Sequence, residues 1–324
     1  MLCKIQRNLG EEYLSDTCAL YPRHLVKIDG RHERSLTMSC PEAARLALLN
    51  PDGMAFENIE EDAGIRIKLH SIFDTEGHLY LNKPQRYFWD IRLFSLSLLQ
   101  NRSYDLGERL IILGIVYKKI VELQNEGRTH DIPAMLESMH NLILSGAFKE
   151  ELEKIPSQSH IQMRLAKELT DERVLQGINS SRYLECLKET LLGLGYVEGA
   201  SLEEIAANYE ASCRDYLKPY LEEKGYILEN YLVNEYFREM MPFGRYKSIW
   251  DSYVFLCVIY SMVKLHLIGM AGHHKGLNDD MALKLIQSFS KTVLHNTNYI
   301  QHIIKLLQDN SFDTLAYMAI LVKN

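Results

Sequence analysis

The chain lacks a glycine-rich loop of nucleotide-binding type. Its 18 glycines are scattered over 324 residues, and Gly193-Leu194-Gly195 is the only pair separated by one residue. That pair has neither a third glycine at fingerprint spacing nor a strand before it, so a loop between two helices is expected there. No P-loop, nucleophile elbow or HExxH helix occurs. The opening Met1–Gly10 has no continuous apolar core, so no secretory leader is read from it. The most apolar run, Tyr253–Val263, is closed by Lys264 and His266. It falls short of the ~20 residues a bilayer needs, and is expected to be a buried helix rather than a membrane span. None of the six cysteines belongs to a CxxC pair, and a disulfide framework is not expected in so long a chain without an export signal. The net charge is -7, the pI is near 6.0, and no basic stripe interleaved with aromatics appears, which argues against nucleic acid as a partner. The expected compartment is the cytoplasm.

What is present is apolar residues at helical spacing. Hydrophobic residues make up 47% and charged ones 24%, a composition that supports a packed core rather than disorder. From Pro84 onward the period is that of helices. Phe88, Ile91, Leu96 and Leu98 open one that runs to about Gln100, and Asp105 caps the next. Others start at Asp131, Ser180, Ser201 and Ser248, followed by one capped by Asn278 and one by Thr297. Residues 1–65 differ in texture, with three cysteines, three prolines and short helical signals between turns; Pro41–Leu49 is the clearest. Ile65–Leu81 alternates loosely around Glu76-Gly77, and a small hairpin is expected there. No βαβ alternation and no fixed repeat is found. The expected fold is all-α: a multi-helix bundle over residues 66–324, preceded by a small cysteine-containing segment over residues 1–65.

Three stretches carry a resemblance. The first runs from Leu2-Cys3-Lys4-Ile5 through Leu9-Gly10-Glu11-Glu12-Tyr13-Leu14-Ser15-Asp16-Thr17-Cys18 and Tyr21-Pro22-Arg23 to Glu33–Arg45, which contains Cys40-Pro41-Glu42-Ala43-Ala44. The second is Asn230–Phe237 followed by Met241-Pro242-Phe243, and the third is Gln287–Lys291 with His295-Asn296. Together they resemble the flagellin lysine-N-methylase family, in family order and over nearly the whole chain. The family carries a further cysteine cluster upstream of the Leu-Cys at positions 2 and 3, so the chain is expected to be an N-terminally shortened member or a fragment. The resemblance implies methyl transfer from S-adenosylmethionine to lysines of flagellin. It also implies an iron–sulfur or other metal centre held by the cysteine-rich segment, incomplete in this chain.

On spacing alone, Cys3, Cys18 and Cys40 are ordinary cysteines, because iron–sulfur sites usually take four thiolates. The resemblance makes them metal ligands. Cys186, Cys213 and Cys257 lie on apolar helical stripes and are expected in the core. Lysine methylation needs a deprotonated amine and a place for a cationic sulfonium, which aromatic faces and oxygen atoms favour. Nine of the 19 tyrosines fall between Tyr209 and Tyr260. Tyr209, Tyr216 and Tyr220 share a helical face and are expected to pack. Tyr231 and Asn234 in the second stretch and His295 in the third are the candidate catalytic residues. For Asn234 a hydrogen bond between packed elements explains the polar side chain equally well, and for His295 a helix C-terminus does so. His273-His274 are expected in a loop, and Arg23 is expected to meet a carboxylate. The competing function is a non-catalytic helical interaction or metal-binding remnant.

Overall fold

A computed structural model of the chain describes residues 3–60, 68–246 and 248–323. The architecture is mostly helical, with one small sheet near the start. The N-terminal layer holds α1 (Lys4–Leu9), α2 (Asp16–Leu20), β1 (Arg23–Ile28), β2 (Arg31–Leu36), α3 (Pro41–Leu48) and β3 (Ser71–Phe73). The strands β1 and β2 are antiparallel, with Ile28 opposite Arg31, so the turn between them is the dipeptide Asp29-Gly30. Both turn residues have positive φ (47° and 80°), the geometry that suits the twist of a two-residue hairpin. The Asp29 carboxylate accepts from the Thr75 backbone N–H, the Thr75 hydroxyl and the Trp89 indole, at 2.7, 2.8 and 2.7 Å, and so pins the turn to the helical body.

The hairpin expected over Ile65–Leu81 is thus replaced by one at residues 23–36. Residues 65–67 lie outside the described residues. The remainder supplies β3, which pairs parallel with β1, and a short helical turn at His78–Tyr80. Asp-Gly between two strand-like runs was the stronger hairpin signal; the polar run Arg31–Arg34 obscured it, because β2 buries none of its residues fully.

The body follows as α4 (Phe88–Leu99), α5 (Leu106–Asn125), α6 (Ile132–Leu144), α7 (Lys149–Glu153), α8 (Ser159–Leu175), α9 (Ser181–Leu194) and α10 (Leu202–Ser212). After these come α11 (Lys218–Lys224), α12 (Tyr226–Arg238), α13 (Ile249–His274), α14 (Asp279–Phe289), α15 (Thr297–Asp309) and α16 (Leu315–Val322). The predicted caps Ser180, Ser201, Ser248 and Asn278 each accept from a backbone N–H of the first turn. One cap shifts by a residue: Asn296, not Thr297, accepts from the Tyr299 N–H ahead of α15.

The core is organised around α13. Every residue from Asp251 to Gly272 is buried, because the helix is apolar on all sides and α5, α8, α9, α10, α14 and α16 pack around it. By length and composition alone this helix would cross a membrane, yet its most apolar stretch is wholly enclosed by the protein. His273 and His274 form its last turn rather than a loop, and His274 sits 3.3 Å from Glu189. Gly193 is likewise helical. A Cβ there would lie 1.8 Å from the Gly269 carbonyl oxygen, so this glycine permits the close crossing of α9 and α13, while Gly195 ends α9 with φ 78°.

Two segments widen into π-helix, Cys213–Leu217 between α10 and α11 and Ser290–Leu294 after α14. The first has a covalent cause. Pro219 has no N–H to give the carbonyl four residues earlier, and its ring crowds that carbonyl. The widening also breaks the face expected for Tyr209, Tyr216 and Tyr220. Tyr209 is buried on Gln162, Tyr216 lies under Lys275, and Tyr220 donates to Asp279.

Candidate active site

Helix α12 carries a polar edge that meets the N-terminal layer. The Asn230 amide donates to the carbonyls of Ala47, Leu48 and Asn50 at 3.2, 3.3 and 2.8 Å. One turn later the Asn234 amide donates to the Leu36 carbonyl at 3.1 Å and contacts the Glu235 carboxylate at 3.3 Å. From α14, Gln287 donates to the Ser39 carbonyl at 2.6 Å, and buried Arg92 of α4 meets Glu33 at 2.6 Å. Four buried polar side chains of the body therefore hold the small layer by its backbone carbonyls and one carboxylate.

This seam brings together the three stretches of the sequence resemblance, which are far apart along the chain. At their junction lies a cavity of about 260 Å³, lined by Tyr21, His24, Thr37, His70, Arg238 and His295 among others. Burial holds His24 down at about 3, with Arg238, His70 and Arg245 adding to the effect. Its ring stacks on His70 at 4.1 Å, and its buried Nδ1 has no hydrogen-bond partner. Burial also lowers His295, helped by Arg238, Arg245 and Lys291. Burial opposes the charge on Arg238, but Glu235 and Glu239, each 2.6 Å away, raise its pKa and keep it cationic. The pocket thus presents neutral imidazoles beside a fixed guanidinium.

Of the candidate catalytic residues, His295 lines this cavity and lies 3.3 Å from the Thr37 hydroxyl. Asn234 spends its amide on the seam. Tyr231 is fully buried and lines neither this cavity nor the larger one described below; burial pushes its phenol well above the ordinary value, and its hydroxyl faces that of Ser290 without a well-formed bond. The three residues do not share one pocket. Arg23, expected to meet a carboxylate, donates to the Ala19 carbonyl at 3.0 Å.

The cysteines separate into two groups. Cys186, Cys213 and Cys257 are buried, as apolar stripes require. Cys3 and Cys18 are exposed and Cys40 is half-buried at the start of α3. Among the described residues no group of three or more His, Cys, Asp or Glu side chains is placed to hold a metal ion, so Cys3, Cys18 and Cys40 are not gathered. The donors at hand do not fit an iron–sulfur cluster, which usually takes four thiolates.

A second and larger cavity, of about 600 Å³, opens inside the body, where the first π segment passes the start of α5. Asp105 precedes α5, and the Glu108 carboxylate accepts from its N–H at 3.1 Å. Glu229 of α12 closes one wall. It is buried and receives Arg109 at 2.6 Å and Arg102 at 2.8 Å, while Arg109 also donates to the Leu99 and Tyr104 carbonyls. Asp105, Glu222 and Glu223 add carboxylates, and Tyr226 and Tyr260 add aromatic rings. Lys264 also lines it, buried in the middle of α13, its Nζ 3.2 Å from the Val322 carbonyl and 5.1 Å from the centre of the Tyr260 ring. Burial lowers its pKa to about 8. In the sequence Lys264 reads only as the end of an apolar run. The missed clue is that Leu265, Leu267 and Ile268 continue the run beyond it, which places the lysine inside a buried helix.

The geometry now meets its relatives. The sequence model for the FliB lysine N-methylase C-terminal domain matches residues 92–321. The lysine-N-methylases of Salmonella choleraesuis (strain SC-B67) and Salmonella typhimurium (strain LT2) are each 23% identical over 316 residues, covering 93% of this chain and 74% of theirs. The flagellar biosynthetic protein FliU of Salmonella muenchen is 43% identical over 56 residues, 17% of this chain and 32% of that protein. No solved structure matches. A chain matched this way is a protein-lysine N-methyltransferase. The chain belongs to the FliB lysine N-methylase family.

Proposed function

We propose that the chain transfers methyl groups from S-adenosylmethionine to lysines of flagellin, with the donor in the larger cavity. One observation carries this placement. The family match over residues 92–321 contains the whole lining of that cavity except Val322 and Lys323, but only Arg238 and His295 among the residues lining the smaller one. The chemistry agrees. Its volume lies within the range of ~300–1,000 Å³ typical of small-molecule sites. A sulfonium and a lysine ammonium are both cations, and Asp105, Glu222, Glu223 and the tyrosine rings favour cations. The flagellar FliU relative supports a flagellar substrate. The proposed compartment is the cytoplasm, where the donor and unassembled subunits meet. No step is routed through an iron–sulfur centre, since Cys3, Cys18 and Cys40 stand apart.

The test incubates the chain with unmodified flagellin and S-adenosylmethionine and maps methyl groups on lysines by mass spectrometry. Methylated lysines are expected; flagellin left unmodified while the chain binds the donor would overturn the substrate assignment. A second placement has its own support, because the first and third sequence stretches, and Arg238 beside the second, line the smaller cavity. If His295→Ala abolishes donor binding and Tyr260→Leu leaves it unchanged, the donor belongs there instead.

A further inference from the structure

Buried lysines elsewhere in proteins are usually paired, because an ammonium taken from water without a counter-charge is strongly disfavoured. Lys264 is an exception within this molecule. It is buried, and among the described residues no carboxylate lies within ion-pair distance of its Nζ. Among the described residues its one hydrogen-bond acceptor is the Val322 carbonyl at 3.2 Å. An ammonium has three N–H groups to satisfy, so two would be left over; a neutral amine has two, so one is left over, and it keeps a lone pair. Lys264 lines the larger cavity. Other lysines of the body behave differently: Lys167 meets Asp171 at 2.6 Å, and Lys284 meets Glu185 at 2.9 Å.

We propose that Lys264 is the proton acceptor of the methyl transfer, taking a proton from the substrate lysine as it enters the cavity. The proposal rests on the placement of the donor in that cavity. The substrate arrives as an ammonium with no lone pair to attack with. Lys264 Nζ accepts one of its protons, and the freed pair on the substrate nitrogen forms the N–C bond as the C–S bond of the donor breaks. The bonding pair leaves on sulfur as a neutral thioether, the methylated product carries the positive charge, and Lys264 returns its proton to solvent through the cavity mouth.

Several groups set the balance between ammonium and amine at Lys264. Burial dominates and favours the neutral amine; Lys218 on α11 works in the same direction, and Asp105 before α5 and Cys213 in the π segment oppose it. Arg102, Glu108, Arg109, Glu222, Glu223, Glu229 and Lys323 complete the charged lining, with Arg102 and Arg109 both paired to Glu229. Burial places Lys264 at about 8, so a useful fraction is neutral near physiological pH, as general-base catalysis asks. The Tyr260 ring beneath it stabilises the charged form once the proton has arrived.

The experiment compares the full chain with Lys264→Met and Lys264→Ala, using flagellin and S-adenosylmethionine, with donor binding measured by calorimetry. Photo-crosslinking with the donor first tests its placement: crosslinks outside residues 102–109, 213–229, 260–264 and 322–323 would sink that placement. With the placement intact, kcat for Lys264→Met should drop by about 100-fold or more while donor affinity is kept. The limb of the wild-type pH–rate profile near 8 should vanish in the variant, and ethylamine should restore part of the activity of Lys264→Ala, which a merely structural lysine would not allow. If kcat of the folded variant stays within about threefold of wild type, or its pH limb is unchanged, Lys264 is not the base. Should both variants fail to fold, a wild-type profile without a limb near 8 overturns the proposal by itself.

Discussion

The seam between the N-terminal layer and the body, and the interior of the body around α13, are built on opposite principles. Around α13 the contacts are apolar and close, and glycine lets α9 and α13 nearly touch. At the seam the contacts are directional. Asn230, Asn234, Gln287 and Arg92 reach across to backbone carbonyls and to Glu33. An apolar contact accepts many side chains of similar size. A buried amide that must meet a given carbonyl accepts very few, since a lost partner leaves a desolvated polar group. This explains why the stretches that carry the sequence resemblance converge on the seam: their amides are constrained by geometry, whatever else they do.

The comparison breaks first at the residue that belongs to both regions' logic, Glu229, a charged group buried in the body. Glu229→Ala leaves Arg109 buried without its carboxylate, and should cost about 3–5 kcal/mol. Urea unfolding would show it; a loss below about 1 kcal/mol would mean that water or another group takes over the pairing.

Acid should separate the two regions. Burial holds His266 of α13 at about 4, below the ordinary 6.5, with its Nδ1 2.7 Å from the Met262 carbonyl and its Nε2 3.1 Å from the Tyr183 hydroxyl. The folded state therefore prefers the neutral ring. Its contribution is complete above 6.5 and is lost as the pH falls from 6.5 through about 4, a total of about 3 kcal/mol. His24, at the seam, is lowered further and in the same sense. Unfolding midpoints measured against pH for His266→Gln and His24→Gln would assign the acid sensitivity. If His266→Gln keeps the full wild-type slope, the interior is not the acid-labile region.

The smallest effect tests the seam. Asn230→Ala removes the donor to three carbonyls and should cost about 1–3 kcal/mol. Limited proteolysis should then release the N-terminal layer before the body unfolds. Simultaneous loss of both would show that layer and body form one cooperative unit.

Much of the helical body was legible. Ser180, Ser201, Ser248 and Asn278 cap as side-chain chemistry predicts, and Tyr253–Val263 is buried as its composition requires. These are local properties, decided within a turn or two of chain. The sheet was misplaced because Asp29-Gly30 is followed by a strand of mostly charged residues, whose pairing depends on a partner rather than on alternation. The helical role of Gly193 is not legible locally, because it depends on Gly269, which lies far away in sequence.

The site was less legible than the fold. Tyr231, Asn234 and His295 come from stretches that do meet, but only His295 lines a cavity. Lys264 was passed over, since lysine in a sequence signals surface, and its burial depends on α5, α10 and α16 packing around α13. What the sequence by itself determined is the helical class, most of the helix starts and the resemblance that the family match bears out, because periodicity, caps and motif order are carried by near neighbours. What only the tertiary structure decided is which polar groups lose their water. The cost of that loss makes latches of Asn230 and Asn234, a neutral ring of His266 and a lowered amine of Lys264, and it depends on surroundings that come from distant parts of the chain.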